Sequence, residues 1–234
     1  MNDSPVATMF NRIAPTYDAL NHLLSFHIDK RWRRRTARNV GKTHPACILD
    51  LATGTADLAI ALARQNPQSY IIGLDLSEKM LEIGRNKILK QGLDRQIELM
   101  TGDAARLPFP DNHFDAVTVA FGVRNFEEAD AGLSEMHRVI KAGGDVFILE
   151  FSMPDRFPVK QAYRLYFNRI LPGIGRRISK DPEAYRYLPE SVERFPKPHD
   201  FQNKLALTGF ETVRLTPMTC GIAVLYHAKK APMQ

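Results

Sequence analysis

Three carboxylates and one run of small residues carry the chemistry of this chain. In residues 48–57, ILDLATGTAD, an apolar run ends at Asp50 and Leu51 and gives way to Ala52, Thr53, Gly54, Thr55 and Ala56. Small side chains let a ligand approach the backbone closely, and the N–H groups of the helix that follows can face it. A second apolar run, IIGLD, ends at Asp75, 25 residues after Asp50 and close to the spacing of a carboxylate that takes ribose hydroxyls. In TGDAARLPFPDNHFD, Asp103 stands where an adenine amino group is expected, and Ala104 offers a backbone N–H to a ring nitrogen. Met80 is placed to lie against the adenine face, although a methionine on a helix is more often core. Asp50, Gly54, Thr55, Asp75, Met80, Asp103 and Ala104 therefore form a candidate nucleoside site.

Two nucleotide classes compete for that site. A dinucleotide needs G-x-G-x-x-G so that its pyrophosphate can rest on the helix N-terminus. Only Gly54 is present, and Asp57 opens the helix, where a carboxylate would repel a pyrophosphate. An acidic residue suits a ligand with a cationic, amino-acid-like end, as in S-adenosylmethionine with its sulfonium and ammonium. The plainer alternative is that Asp57 only complements the helix dipole.

The elements that must position these residues follow from periodicity. Strands are expected at 46–51, 70–75, 96–101, 114–120 and 145–152, alternating with helices at 57–65, 77–91 and 127–138. Ser77 is the N-cap of the second helix. This alternation predicts βαβ units and a mostly parallel sheet. Strands at 211–216 and 221–229 follow with a short break, which predicts an antiparallel hairpin at the sheet edge. The fold class is α/β, a doubly wound, Rossmann-like seven-stranded sheet. Phe10, Ile13, Ala14 and Tyr17 form one helical stripe, and a second helix is expected over 29–40. Further helices are expected at 158–171 and 199–208, the last stopped by Gly209. The 234 residues suit one domain, with an N-terminal helical cap over 1–44 and a helical substrate or lid insertion over 153–200.

Hydrophobic content of 44% is ordinary for a globular core, and no apolar run reaches transmembrane length. Cys47 and Cys220 form no disulfide or zinc pattern and are expected as core thiols of a reducing cytosol. The net charge of +6 is concentrated in KRWRRRTAR, residues 30–38, and in a second basic stretch over 156–186. Nucleic acid, an anionic membrane surface or a solvated helix face would each account for these runs.

Across its whole length the chain resembles the quinone-biosynthesis C-methyltransferases, which methylate demethylmenaquinol or a polyprenyl-methoxy-benzoquinol. The resemblance lies in YDALNHLLSFHIDKRW (Tyr17, Asp18, Asn21, Leu24, Ser25, Trp32), FGVRNF at 121–126, RVIKAGGDVFILEFS at 138–152 and YLPESVERFP at 187–196. It implies a class I S-adenosylmethionine-dependent methyltransferase fold, S-adenosyl-L-methionine as cofactor, and Arg124 and Tyr17 as substrate-side catalytic residues. There are departures. The family usually has Met at Leu20, Gly at His27, His at Asp29, Gly at Ala56, Ser at Ala120, and Pro or Val at Ala142. Ala120 is left with a backbone contribution to cofactor binding, and no catalytic base is assigned at position 29.

Ring methylation needs a proton taken from the quinol hydroxyl and a cation or donor to stabilise the oxyanion. Arg124 is cast as that stabiliser, unless it pairs with Glu127 or Glu128; Tyr17 could equally be a packing residue on its helix. His227 and His199 are weaker candidates for the base. The expected reaction is conversion of demethylmenaquinol to menaquinol, with the ubiquinone-pathway benzoquinol as the alternative acceptor. An RNA methyltransferase and a non-catalytic scaffold are the competing readings, and no nucleic-acid partner or metal is expected. The location is cytoplasmic, at the inner face of the membrane. The apolar stripe Tyr163, Tyr166, Phe167, Ile170 and Leu171, flanked by Lys160, Arg164, Arg169, Arg176 and Arg177, is expected to touch lipid. Self-association as a homodimer is compatible with this reading.

Overall fold

A computed structural model describes residues 4–166 and 182–232. The chain opens with two helices, α1 (Pro5–Leu24) and α2 (Ile28–Gly41). Ser4 caps α1 by accepting the Ala7 N–H, and Pro5 supplies a preset φ at its first turn. The βα units follow: β1 (Cys47–Leu51), α3 (Asp57–Gln65), β2 (Tyr70–Asp75), α4 (Glu78–Lys90), β3 (Ile97–Thr101), β4 (Phe114–Ala120), α5 (Ala129–Val139) and β5 (Ile140–Phe151). Ser77 caps α4 through the Met80 N–H, as its sequence position predicts. After β5 come α6 (Val159–Leu165), α7 (Pro182–Arg194), α8 (Pro198–Leu207), β6 (Phe210–Met218) and β7 (Ala223–Lys230).

The strands form one seven-stranded sheet in the order β3-β2-β1-β4-β5-β7-β6. The pairs β1–β2, β2–β3, β1–β4 and β4–β5 are parallel, and β7 lies antiparallel between β5 and β6. Strand order reverses between β1 and β4, and the crevice beyond the carboxyl ends of such strands is where an open α/β sheet binds ligands. Alternation along β1 sends Ile48 to one face and Leu49 to the other, so each face has its own core. Trp32 and Val40 of α2 join Ile48, and Phe201 and Leu205 of α8 join Leu49.

Three expectations need correction. β5 starts at Ile140 rather than 145, because the chain pairs with Phe114 before a bulge and then rejoins β4 at Ala116. α7 was not placed individually within the helical insertion expected over 153–200; of the helix expected over 158–171, Val159–Leu165 is described, and residues 167–171 lie outside the described residues. Cys220 is exposed, in a left-handed turn (φ 56°) between β6 and β7, while Cys47 is half-buried.

Candidate active site

Three connected spaces lie over the carboxyl ends of β1, β2 and β4. The first is a cleft of about 180 Å³ lined by Gly54, Asp75, Met80, Asp103, Ala104 and Ala120, among others. The second is a small annex of about 20 Å³ lined by Asp50, Thr55, Asp57 and Arg33. The third is a mainly apolar cavity of about 320 Å³ under α1, α2, α6 and α7. Tyr17 lines all three, and Phe10 and Phe121 line both the cleft and the apolar cavity.

The turn after β1 is held open by its backbone. Ala52, Gly54 and Ala56 have φ of 49°, 55° and 65°, so two alanines adopt a conformation that favours glycine. No atom lies within 4 Å of where a Cβ on Gly54 would sit, leaving space above the backbone for a ligand. Asp75 locks this turn to β2: its Oδ2 accepts the Gly54 N–H and its Oδ1 accepts the Ser77 N–H, each at 2.8 Å. Burial pushes the Asp75 carboxyl above the ordinary carboxylate range, against the pull of those N–H donors. Two donors still leave lone pairs on a carboxylate that can take two hydroxyls. Asp103 is exposed, with Oδ1 accepting the Ala105 N–H at 2.9 Å, and Ala104 and Met80 are buried walls. An open backbone, a ribose-type carboxylate, an acidic rim and a methionine wall together fit an adenosine-bearing ligand.

At the base of the annex, Asp50 is 1% exposed and accepts the Thr118 and Thr53 hydroxyls, each at 2.7 Å. Burial raises its pKa to about 6. Thr55 donates to Asp18 at 2.5 Å. Asp57, expected to meet a cationic ligand, is already bonded to Lys87 and lies 3.4 Å from His22 Nε2. Burial acts to raise its pKa, but Arg33 and Lys87 outweigh it and hold the carboxyl low. Asp50, not Asp57, is therefore the carboxylate of the annex without a fixed cation bonded to it among the described residues.

The apolar cavity is built on the FGVRNF block. Phe121 adopts a left-handed φ of 60°. Its N–H bonds Leu149 O at 2.7 Å, and its carbonyl accepts from Arg124 Nη1 at 2.5 Å. Gly122 is required here, because a Cβ would lie 2.5 Å from that of Ala52. Phe121 stacks on Phe151 at 4.4 Å, and Trp32 closes on both rings at 6.0 and 6.1 Å. Arg124 lines the cavity, but its charge is compensated by the fully buried Glu150 at 2.6 Å, not by Glu127 or Glu128. The Tyr17 hydroxyl is pushed up by burial, with Arg33 and Arg124 pulling the other way. His227 bonds Asp145 and stacks on Phe147, and His199 bonds Gln202; neither lines the cavity.

Sequence reasoning missed Asp29, Arg33 and His22. Arg33 belongs to the basic run but is buried, its guanidinium 5.1 Å above the Phe121 ring and bonded to Asp29. The i, i+4 spacing of Asp29 and Arg33, on the same helix as Trp32, was the available signal. Lys30, Arg31, Arg34, Arg35 and Arg38 stay exposed. Of the expected lipid-facing stripe, Tyr163 is buried and Tyr166 half-buried. Phe167, Arg169, Ile170, Leu171, Arg176 and Arg177 lie outside the described residues.

The chain matches the model of the ubiE/COQ5 methyltransferase family over residues 1–230. It is 46% identical over 225 residues to a demethylmenaquinone methyltransferase from Bacteroides fragilis, covering 96% of this chain and 92% of that one. It is 44% identical over 226 residues to the ubiquinone/menaquinone biosynthesis C-methyltransferase UbiE from Geobacter sulfurreducens, covering 96% and 88%. A solved SAM-dependent methyltransferase from Aquifex aeolicus shares the fold with a TM-score of 0.57 at 19% identity, covering 78% of this chain and 81% of that one.

Proposed function

The chain belongs to the ubiE/COQ5 methyltransferase family, and from that premise we propose that it methylates a ring carbon of demethylmenaquinol, a prenylated naphthoquinol, in menaquinone biosynthesis. S-adenosyl-L-methionine is its cofactor, and the residues of the cleft and annex fit it. The observation that carries the reading is the wall formed by Tyr17 and Phe121. It separates a cleft edged by the carboxylates Asp75 and Asp103 from an apolar cavity lined by aromatic rings.

Asp75 would hold the ribose, Asp103 and the Ala104 N–H the adenine, and Asp50 the cationic end. Met80 and the Ala120 backbone form walls of the same cleft. The bound cofactor supplies an electrophilic methyl group. The protein's own residues do the rest. Trp32, Phe121 and Phe151 form an aromatic wall against which a flat ring packs away from water. The Arg124–Glu150 pair, neutral in sum, holds the Phe121 carbonyl and so fixes the ring that faces the junction. Tyr17 orients the substrate hydroxyl at the junction itself.

The described parts of residues 1–44 and 153–200 act as cap and lid over the apolar cavity. The same two regions carry exposed apolar side chains beside its lining: Phe26 at 74%, Phe157 at 80% and Leu165 at 53%. Exposed Arg31, Arg156 and Arg164 accompany them. No helix among the described residues is long and apolar enough to cross a membrane. A cytoplasmic enzyme that docks this mouth on the inner membrane face would reach a bilayer-dissolved quinol. The benzoquinol of the ubiquinone pathway is the second acceptor, supported by the paired pathway name of the Geobacter relative. The test is incubation with methyl-labelled S-adenosylmethionine and, separately, demethylmenaquinol, the benzoquinol and bulk RNA. Label in the naphthoquinol supports the reading, and label in RNA alone overturns it.

A further inference from the structure

The wall of the apolar cavity carries a polar cluster that the reading above leaves unused. Asp29 lines the cavity with its side chain only 4% exposed. Its Oδ1 accepts the Ser25 hydroxyl at 2.6 Å, and its Oδ2 lies 2.8 Å from His22 Nδ1 and accepts from Arg33 Nη1. On its other side the same imidazole meets Asp57, with Nε2 3.4 Å from Oδ2. His22 thus bridges two carboxylates on different helices, α2 and α3. A neutral imidazole carries one N–H and can serve only one of them; an imidazolium serves both.

Charged groups face the imidazole from four helices. Asp18 on α1, Asp29 on α2 and Asp57 on α3 surround the ring. Arg33 on α2 and Lys87 on α4 are the cations bonded to these carboxylates. His27 stacks on the imidazole at 5.8 Å. Three carboxylates against two fixed cations leave one negative charge, which a protonated His22 would neutralise.

Resting on the quinol reading, we propose that Asp29 is the proton acceptor of the reaction. His22 Nδ1–H, Ser25 and Arg33 hold its carboxylate at the cavity wall, where it takes the hydroxyl proton. The O–H bond breaks and its electron pair enters the ring, which forms the bond to the incoming methyl carbon. The methyl–sulfur bond breaks with its pair left on sulfur. The ring C–H proton then passes to water as Asp29 returns its own proton to the oxygen, so one proton is released in net. Burial pushes the Asp29 carboxyl up, but Arg33, Ser25 and His22 together outweigh burial and hold it below the usual carboxylate range. Asp29 is therefore ionised at neutral pH, the form that takes up a proton. Asp29 is the catalytic residue; His22, acting through it, is a positioning residue.

The test uses Asp29→Asn and His22→Gln in the full chain with short-tailed demethylmenaquinol, and with ring-halogenated quinols whose hydroxyls are more acidic. Both variants should bind S-adenosylmethionine like the unaltered protein. Asp29→Asn should lower kcat about 100-fold or more, the range of a lost general base. That deficit should shrink as the acceptor becomes more acidic, because an ionised hydroxyl needs no base. His22→Gln should lower kcat with KM little changed, and its deficit should shrink with the more acidic acceptors in the same way. A deficit equal across all acceptors would mean that Asp29 only braces Arg33, and would overturn the proposal, as would unchanged turnover in both variants. If the unaltered protein methylates no quinol, the functional reading fails and the role of Asp29 as proton acceptor with it; if it does and the variants match it, that role alone fails.

Discussion

Asp50 makes S-adenosylmethionine affinity depend on pH in a calculable way. It is 1% exposed, and burial raises its pKa from 3.8 to about 6 despite two threonine donors. If the cationic end of the cofactor pairs with it, its pKa in the complex falls back towards the ordinary value. A return of roughly two units is linked to about 3 kcal/mol of binding free energy. Affinity should then be flat above about pH 7 and fall by roughly tenfold per unit below about pH 6, with close to one proton released on binding there. The apo protein responds in the opposite sense. A carboxyl whose folded pKa exceeds its unfolded value contributes stability that is complete below about 3.8 and lost as pH rises through about 6. Asp50 should therefore add about 1.4 kcal/mol to apo stability between pH 7 and 5, worth about 3–6 °C in Tm for a chain of this size. Calorimetric titration at pH 5.5 and 7.5 in two buffers of different ionisation heat counts the protons. Melting curves of the unaltered protein against Asp50→Asn isolate the stability part. Affinity unchanged from pH 5 to 7 without proton release, or the same dependence in Asp50→Asn, would refute the reasoning.

Other outcomes follow from the same geometry. Asp75→Ala should weaken cofactor binding at least tenfold by calorimetry, since each charge-assisted bond contributes about 1.5–3 kcal/mol. It should also lower Tm, because the Gly54 and Ser77 N–H groups lose their acceptor, a fold cost that sequence reasoning did not anticipate. Arg124→Ala should lower turnover with cofactor affinity kept, because the Phe121 carbonyl loses its donor, and strands Glu150 as a buried charge at a cost of about 3–5 kcal/mol. Combining Arg124→Met with Glu150→Gln should restore much of the stability seen in thermal melts but not the turnover. His27→Gly should raise stability by about 0.5–1 kcal/mol, since His27 is exposed with a left-handed φ of 58° whose cost of about 1–2 kcal/mol exceeds the entropy cost of a glycine, about 0.5–1 kcal/mol. Changing Phe26, Phe157 and Leu165 to Ser should reduce sedimentation with anionic vesicles; equal, negligible binding before and after would remove the docking face.

Sequence periodicity was enough to place the sheet and the ends of β1, β2 and β4, because alternation and small-residue turns are local signals. The same holds for Asp50, Asp75, Asp103 and Ala104, which sit at or just past strand ends. What escaped was set by contacts distant in sequence. The partner of Arg124 is Glu150, 26 residues on and fully buried, while the nearby Glu127 bonds Ser4 instead. Asp57 looked free until Lys87 and His22 met it from α4 and α1. The stripe Phe10, Ile13 and Tyr17 read as one apolar face, and it lines a cavity; periodicity alone cannot tell a cavity wall from a packed core. Two departures from the family pattern, His27 and Ala56, prove to stand at positive φ, where the usual glycine would be unstrained.

The central claim is transfer of one methyl group to a ring carbon of a prenylated quinol. Carbon-13 methyl-labelled S-adenosylmethionine, incubated with the protein and reduced demethylmenaquinol and followed by NMR of the extracted lipid, tests it most directly. The account predicts one labelled methyl per quinol, bonded to a ring carbon, and none when the oxidised quinone replaces the quinol. A label on oxygen, or equal transfer to the oxidised ring, would contradict it.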